Sequence, residues 1–151
     1  MVKRIDDTNK AIIKLLQDGR RPYSVIADEL GITENTVRSR ANKLLEEGVL
    51  KIIGMVDPEY VPGLQVIYMG VKLSTMELTK KADEFMALRG VVSVAVVTGR
   101  YDLIVKLVLS EEEDLSLLNF FSNELTKVSQ VLDVETYVVY QSHNLLVPYI
   151  L

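Results

Sequence analysis

The residues of this chain best suited to chemistry on a partner form one short run: Thr33, Glu34, Asn35, Thr36, Arg38, Ser39, Arg40 and Lys43. Hydroxyl, amide and guanidinium groups of this kind hydrogen-bond to base edges, while Arg and Lys neutralise phosphate. Ser24, somewhat earlier, offers a hydroxyl to a phosphate or to a helix end. To act together these groups must share the outer face of a helix. The apolar residues Val25, Ile26, Leu30, Ile32, Val37 and Leu44 are spaced to supply its inner face, with Gly31 as a tight turn between two helices. That is the plan of a helix-turn-helix, whose second helix enters the DNA major groove.

Each of these residues also has a plainer use. Arg38, Arg40 and Lys43 can pair with Glu34, Glu46 or Glu47 along a solvated helix face. Thr33 suits a helix N-cap as well as a base edge, and so does Ser24. Other chemistries find little support. His143 is the single histidine and there is no cysteine, so no His-based metal cluster, catalytic triad or thiol nucleophile can form within one chain. Glu111, Glu112, Glu113 and Asp114 suit a helix N-terminus, where the dipole favours acids, better than a cation site. The expectation is a non-enzyme with no metal and no cofactor.

The net charge of -4 is unevenly spread. Residues 1–51 hold ten Lys/Arg against eight Asp/Glu, and residues 52–151 hold seven against thirteen. Positive potential therefore gathers where the helix-turn-helix lies, though weakly, so several copies would have to act together on DNA. Hydrophobic content of 48% is ample for a core. The apolar runs are too short to span a bilayer, and Lys3, Arg4, Asp6, Asp7 and Lys10 interrupt any signal-peptide core. A cytoplasmic protein is expected, with no membrane partner.

Two periodicities divide the chain. Helices are predicted from Asp7 to about Gln17, from Ser24 to Leu30, and from behind Thr33 to Glu47, where Gly48 follows. After a short apolar stretch, Leu64 to Leu73 reads as a strand. Ser74 with Glu77 then suggests a capping box ahead of a helix to Leu88. Strands are predicted over Val91 to Thr98 and Asp102 to Leu109, joined by a turn at Gly99-Arg100-Tyr101. Ser110 with Glu113 suggests a second capping box, opening a helix to Lys127, and Val131 to Tyr140 closes the series. The order β-α-β-β-α-β is the ferredoxin-like motif. The fold class is thus α+β: a helix-turn-helix (winged-helix-like) domain over 1–51, a linking strand and loop over 52–63, and a ferredoxin-like domain over 64–151. With both helices on one face of the sheet, the other is expected to be open and apolar, and a second copy would cover it.

The sequence resembles the leucine-responsive/asparagine (Lrp/AsnC) regulators, also called feast/famine regulatory proteins. The carriers are Ile5-Asp6-Asp7, Ile12 to Arg20, Leu30-Gly31-Ile32-Thr33, Thr36 to Arg40, Leu44 to Leu50, Val56-Asp57-Pro58 and Val97 to Leu103. The resemblance implies a transcription regulator that binds double-stranded DNA, dimerises through its C-terminal sheets and assembles further, to a tetramer or octamer. It also implies amino-acid sensing, with the effector near Thr98, Gly99, Arg100, Tyr101 and Asp102, and with Thr136 facing the same region. Gly99 reads as a conformational requirement of the turn. Asp102 suits the ammonium of an amino acid, or closes the turn through a backbone hydrogen bond. Arg100 replaces the acid more usual in the family and suits a carboxylate on the ligand or on a neighbouring subunit. Ala41 is smaller than the family's usual aliphatic residue, which implies closer packing of the third helix.

Two readings of the whole follow: a ligand-responsive regulator, or a ligand-independent architectural DNA-binding protein. A ferredoxin-like enzyme would need a phosphate-cradling loop that Val61-Pro62-Gly63-Leu64 does not offer. RNA recognition would need an aromatic strand signature that is missing.

Overall fold

The computed structural model describes residues 5–148, so Lys3 and Arg4 lie outside the described residues. The chain divides between Ile53 and Gly54 into two compact units.

The first unit is built from α1 (Asp7–Leu15), α2 (Tyr23–Leu30) and α3 (Glu34–Glu46). Asp6 caps α1 by accepting the Asn9 N–H, and Thr33 caps α3 by accepting from Thr36. Gly31 ends α2 in the left-handed conformation (φ 64°), which a side chain would resist. Ile12, Leu16, Ile26, Ala27, Val37 and Ala41 form the core, closed by Tyr23, Leu30, Ile32 and Leu50. Ala41 is fully buried. The winged-helix-like expectation is met in its helices. No strand follows α3 within the unit among the described residues.

The second unit holds the predicted β-α-β-β-α-β series. Its strands are β2 (Leu64–Leu73), β3 (Val91–Val96), β4 (Leu103–Ser110) and β5 (Val131–Val138), with α4 (Leu78–Met86) after β2. They form one antiparallel sheet in the order β3-β4-β2-β5. The alternate residues Ile67, Met69, Val71, Leu73, Leu103, Val105, Leu107 and Leu109 join Phe85, Leu88 and Phe120 in the main core. Strand alternation aims them at the helices, and Val66, Val108 and their neighbours at the other face.

Within the linking strand and loop over 52–63, β1 (Met55–Val56) pairs with β6 (Val147–Pro148), and Pro58–Tyr60 forms a 3-10 turn. Two expectations need correction here. The second sheet face is not open and apolar throughout. Val147 of β6 buries Val66 and Val108 at one end, with Val56, Leu145 and Tyr68 packed alongside. The remainder carries Tyr68, Lys106, Glu135 and Tyr137, whose registers place them opposite one another or one rung apart. Finally, neither capping box forms. Glu77 precedes α4 with no side-chain cap, and its N–H instead donates to Thr75. Leu115 returns to pair with Ser110, so the acids 111–114 occupy a turn rather than a helix start. Ser116 caps the short α5 (Leu117–Asn119), which continues through a π-helical turn over Phe120–Glu124 and a 3-10 turn over Leu125–Lys127.

Candidate functional site

In the first unit α3 sets Asn35, Arg38, Ser39, Asn42, Lys43, Glu46 and Glu47 around one open depression. Thr33, Glu34 and Thr36 are exposed at its N-terminal end, where a helix inserted into a groove meets base edges. Thr33 is committed as the cap, and its hydroxyl also lies 2.9 Å from that of Thr36. Ser24 is exposed in the first turn of α2 and caps nothing, since Pro22 holds the N-cap position.

The two arginines of α3 have different surroundings. Arg38 Nη2 donates to Glu34 Oε1 one turn back, and its guanidinium carbon lies 5.4 Å from the centre of the Tyr23 ring on α2. Arg40 instead reaches α1, where Nη1 donates to Asp6 Oδ2 at 2.7 Å and to Asn9 Oδ1 at 3.0 Å. The Asn9 N–H and the Arg40 guanidinium both hold the Asp6 carboxyl below the usual carboxylate range. Arg40, grouped by the sequence with the outward-facing contacts, thus ties α3 to α1. Its partners are distant in sequence, whereas the acids considered for it were those at helical spacing. Tyr23, which sequence reasoning passed over, is part of the surface because it flanks Arg38. Its signal was an aromatic residue at the exposed start of α2.

In the second unit the turn between β3 and β4 projects Thr98, Gly99 and Arg100 into solvent. Gly99 has φ 127°, so the conformational reason given for a glycine there holds. The Tyr101 ring lies back against the backbone of Gly70 on β2. The Tyr101 hydroxyl is buried without a hydrogen-bond partner, and the Arg100 guanidinium sits 5.3 Å from the ring centre. Arg100 Nη2 is 3.4 Å from Glu135 Oε2 on β5, a loose ion pair outside hydrogen-bonding geometry. The nearby Glu135 carboxylate pushes the Tyr137 hydroxyl's pKa above the ordinary phenol value.

Two predicted effector residues are placed differently. Asp102 is drawn into the fold. Oδ2 accepts the Leu73 N–H at 2.8 Å and Oδ1 accepts from Lys72 Nζ at 2.9 Å. The Leu73 N–H and then Lys72 keep this carboxyl below the usual range. The β2–β5 register slips at Lys72 and Leu73, so the side chain of Asp102 supplies an acceptor beside the irregularity. Thr136 pairs with Met69, a core residue, on the helix-packed face. Its neighbour Glu135 is the residue that comes to Arg100. The available signal was the pair of acids, Asp133 and Glu135, in an otherwise largely apolar strand. Among the described residues no group of His, Cys, Asp or Glu is arranged to hold a metal ion, and no helix is long and apolar enough to cross a membrane.

Residues 5–45 match the AsnC-type helix-turn-helix domain, and residues 66–145 match the Lrp/AsnC ligand binding domain. The HTH-type transcriptional regulator FL11 of Pyrococcus horikoshii is 30% identical, over 93% of this chain and 92% of that protein. Among solved structures, PH0061 superposes with a TM-score of 0.79 at 23% identity, covering 97% of this chain and 99% of the other. The L-methionine complex of the Neisseria meningitidis regulator NMB0573 gives a TM-score of 0.66 at 18% identity, covering 91% of each chain. The pattern of a DNA-facing helix in one unit and a ligand-binding fold in the other thus has its counterpart in proteins that regulate transcription rather than catalyse. The chain belongs to the Lrp/AsnC family of DNA-binding transcription regulators.

Proposed function

We propose that this regulator binds DNA as a homodimer and changes its assembly when an amino acid occupies the turn between β3 and β4. The observation that carries the effector reading is the buried, unpartnered hydroxyl of Tyr101 beside the Arg100 and Glu135 pair. A buried polar atom without a partner is costly and calls for one. An α-amino acid brings both charges such a place can use. Its carboxylate suits Arg100 and the N–H groups of Thr98 to Tyr101, and its ammonium suits Glu135. Asp102 is already satisfied and serves to hold the turn. The bound amino acid of the Neisseria meningitidis neighbour supports this ligand class.

The Tyr68, Lys106 and Tyr137 surface of the sheet supports the dimer, because a second copy would cover the part of this face that β6 leaves open. Two copies would present two α3 helices to successive major grooves of a roughly palindromic site, with Ser24, Asn35, Thr36, Arg38, Ser39 and Lys43 toward DNA. Thermal melting against the common amino acids, combined with sedimentation velocity, tests the proposal. Stabilisation by one class of amino acid with a change in assembly size is expected. A flat response together with intact DNA binding would favour the ligand-independent architectural reading.

A further inference from the structure

Arg38 is held from two sides by residues of two different helices. Glu34, one turn back on α3, accepts from Nη2, and the Tyr23 ring of α2 lies against the guanidinium at 5.4 Å. An i,i+4 pair alone would be an ordinary feature of a solvated helix. The ring is not part of that periodicity, because it comes from across the turn at Gly31. Together they fix a long side chain on an exposed surface, where rotamer freedom would otherwise be kept.

The charge balance also bears on what Arg38 meets. A carboxylate at the first position of a helix suits the helix dipole, but on a face turned to a polyanion it works against binding. Glu34 cancels much of the Arg38 charge, which would weaken a phosphate anchor whose strength is counterion release. Base readout depends less on net charge than on a planar donor fork held at a set angle, as in the bidentate pairing of Arg with guanine O6 and N7. Arg38 keeps further N–H groups beyond the one given to Glu34, since a guanidinium carries five.

We propose that Arg38 is a base-reading residue of α3 directed at guanine, with Glu34 and Tyr23 as the positioning residues that hold its guanidinium. This rests on the reading that α3 faces DNA. Glu34 and Tyr23 then act through Arg38 and set specificity rather than affinity. Arg40 has no such role, being tied to Asp6 and Asn9.

The test is affinity selection from a randomised DNA duplex pool by the full chain, followed by salt titrations of the selected and of bulk duplex. The wild-type chain is expected to select a motif with one guanine per half-site that Arg38→Lys no longer prefers, a loss of about tenfold or more in discrimination. Glu34→Gln should blur that same position while bulk-DNA affinity rises. Tyr23→Leu should blur it too while the first unit keeps its melting transition, and Tyr23→Phe, which keeps the ring, should restore it. A motif that survives Arg38→Lys unchanged overturns the proposal alone. So does Glu34→Gln or Tyr23→Leu leaving that position as sharp as in the wild type. A wild-type chain that retains no DNA overturns the DNA-facing reading of α3 and the proposal with it.

Discussion

The aromatic ring of Tyr101 packs so closely on Gly70 that a β-carbon at position 70 would meet three ring carbons at 2.6, 2.7 and 2.8 Å. The turn between β3 and β4 is therefore seated on β2 by a contact that only glycine permits. Gly70→Ala should lever the ring away and cost about 1–3 kcal/mol through overpacking. It should also reduce any amino-acid response by disturbing Arg100 next door. Thermal melting reads the first effect and an effector titration the second. If Tyr101→Ala rescues the melting of Gly70→Ala, the clash is the cause.

Arg40→Ala should lower the stability of the first unit more than it lowers the salt dependence of DNA binding, because its partners are Asp6 and Asn9. Asp6→Asn should resemble it. The measurement is a melting curve beside a salt titration. A fall in salt slope of about one unit without loss of stability would return Arg40 to the DNA surface.

Acid should loosen both units through named carboxylates. Asp102 and Asp6 have folded-state pKa values below their ordinary ones, so each contributes stability that is present above the ordinary carboxylate range. That contribution is lost as pH falls through the lowered folded value. Asp102→Asn should flatten the acid limb of the second unit's melting profile, and Asp6→Asn that of the first. Residue-resolved NMR signals of Tyr101 and Tyr23 would report the two units separately.

Much of this organisation was legible because it is local. The strand over Leu64–Leu73 and the cap at Thr33 follow from residue type and spacing alone. What escaped was set by long-range pairing. Leu115 folds back on Ser110 and removes that serine from the helix start it appeared to cap. Thr136, which the resemblance sets near the effector, pairs with Met69 on the helix-packed face, a placement that only the strand register reveals. Arg40 and Asp6 lie thirty-four positions apart, beyond any helical template.

Phe85 and Phe120 are both fully buried in the main core of the second unit. Phe85→Ala or Phe120→Ala should cost about 3–5 kcal/mol, a substantial share of a small domain's stability. Chemical denaturation of each variant checks the size of the effect, and a cost below 1 kcal/mol would mean that the neighbours collapse into the space.

The pairing of Val56 with Val147 joins the two ends of the second unit across almost its whole length. Loops this long close late in folding, because their entropy cost is recovered only after the intervening strands are in place. During synthesis the sheet can be complete once Val138 has emerged, but Val66 and Val108 stay uncovered until Val147 follows. The closing segment therefore sets the interval during which a nascent chain exposes sticky surface, and its last few residues govern when that interval ends.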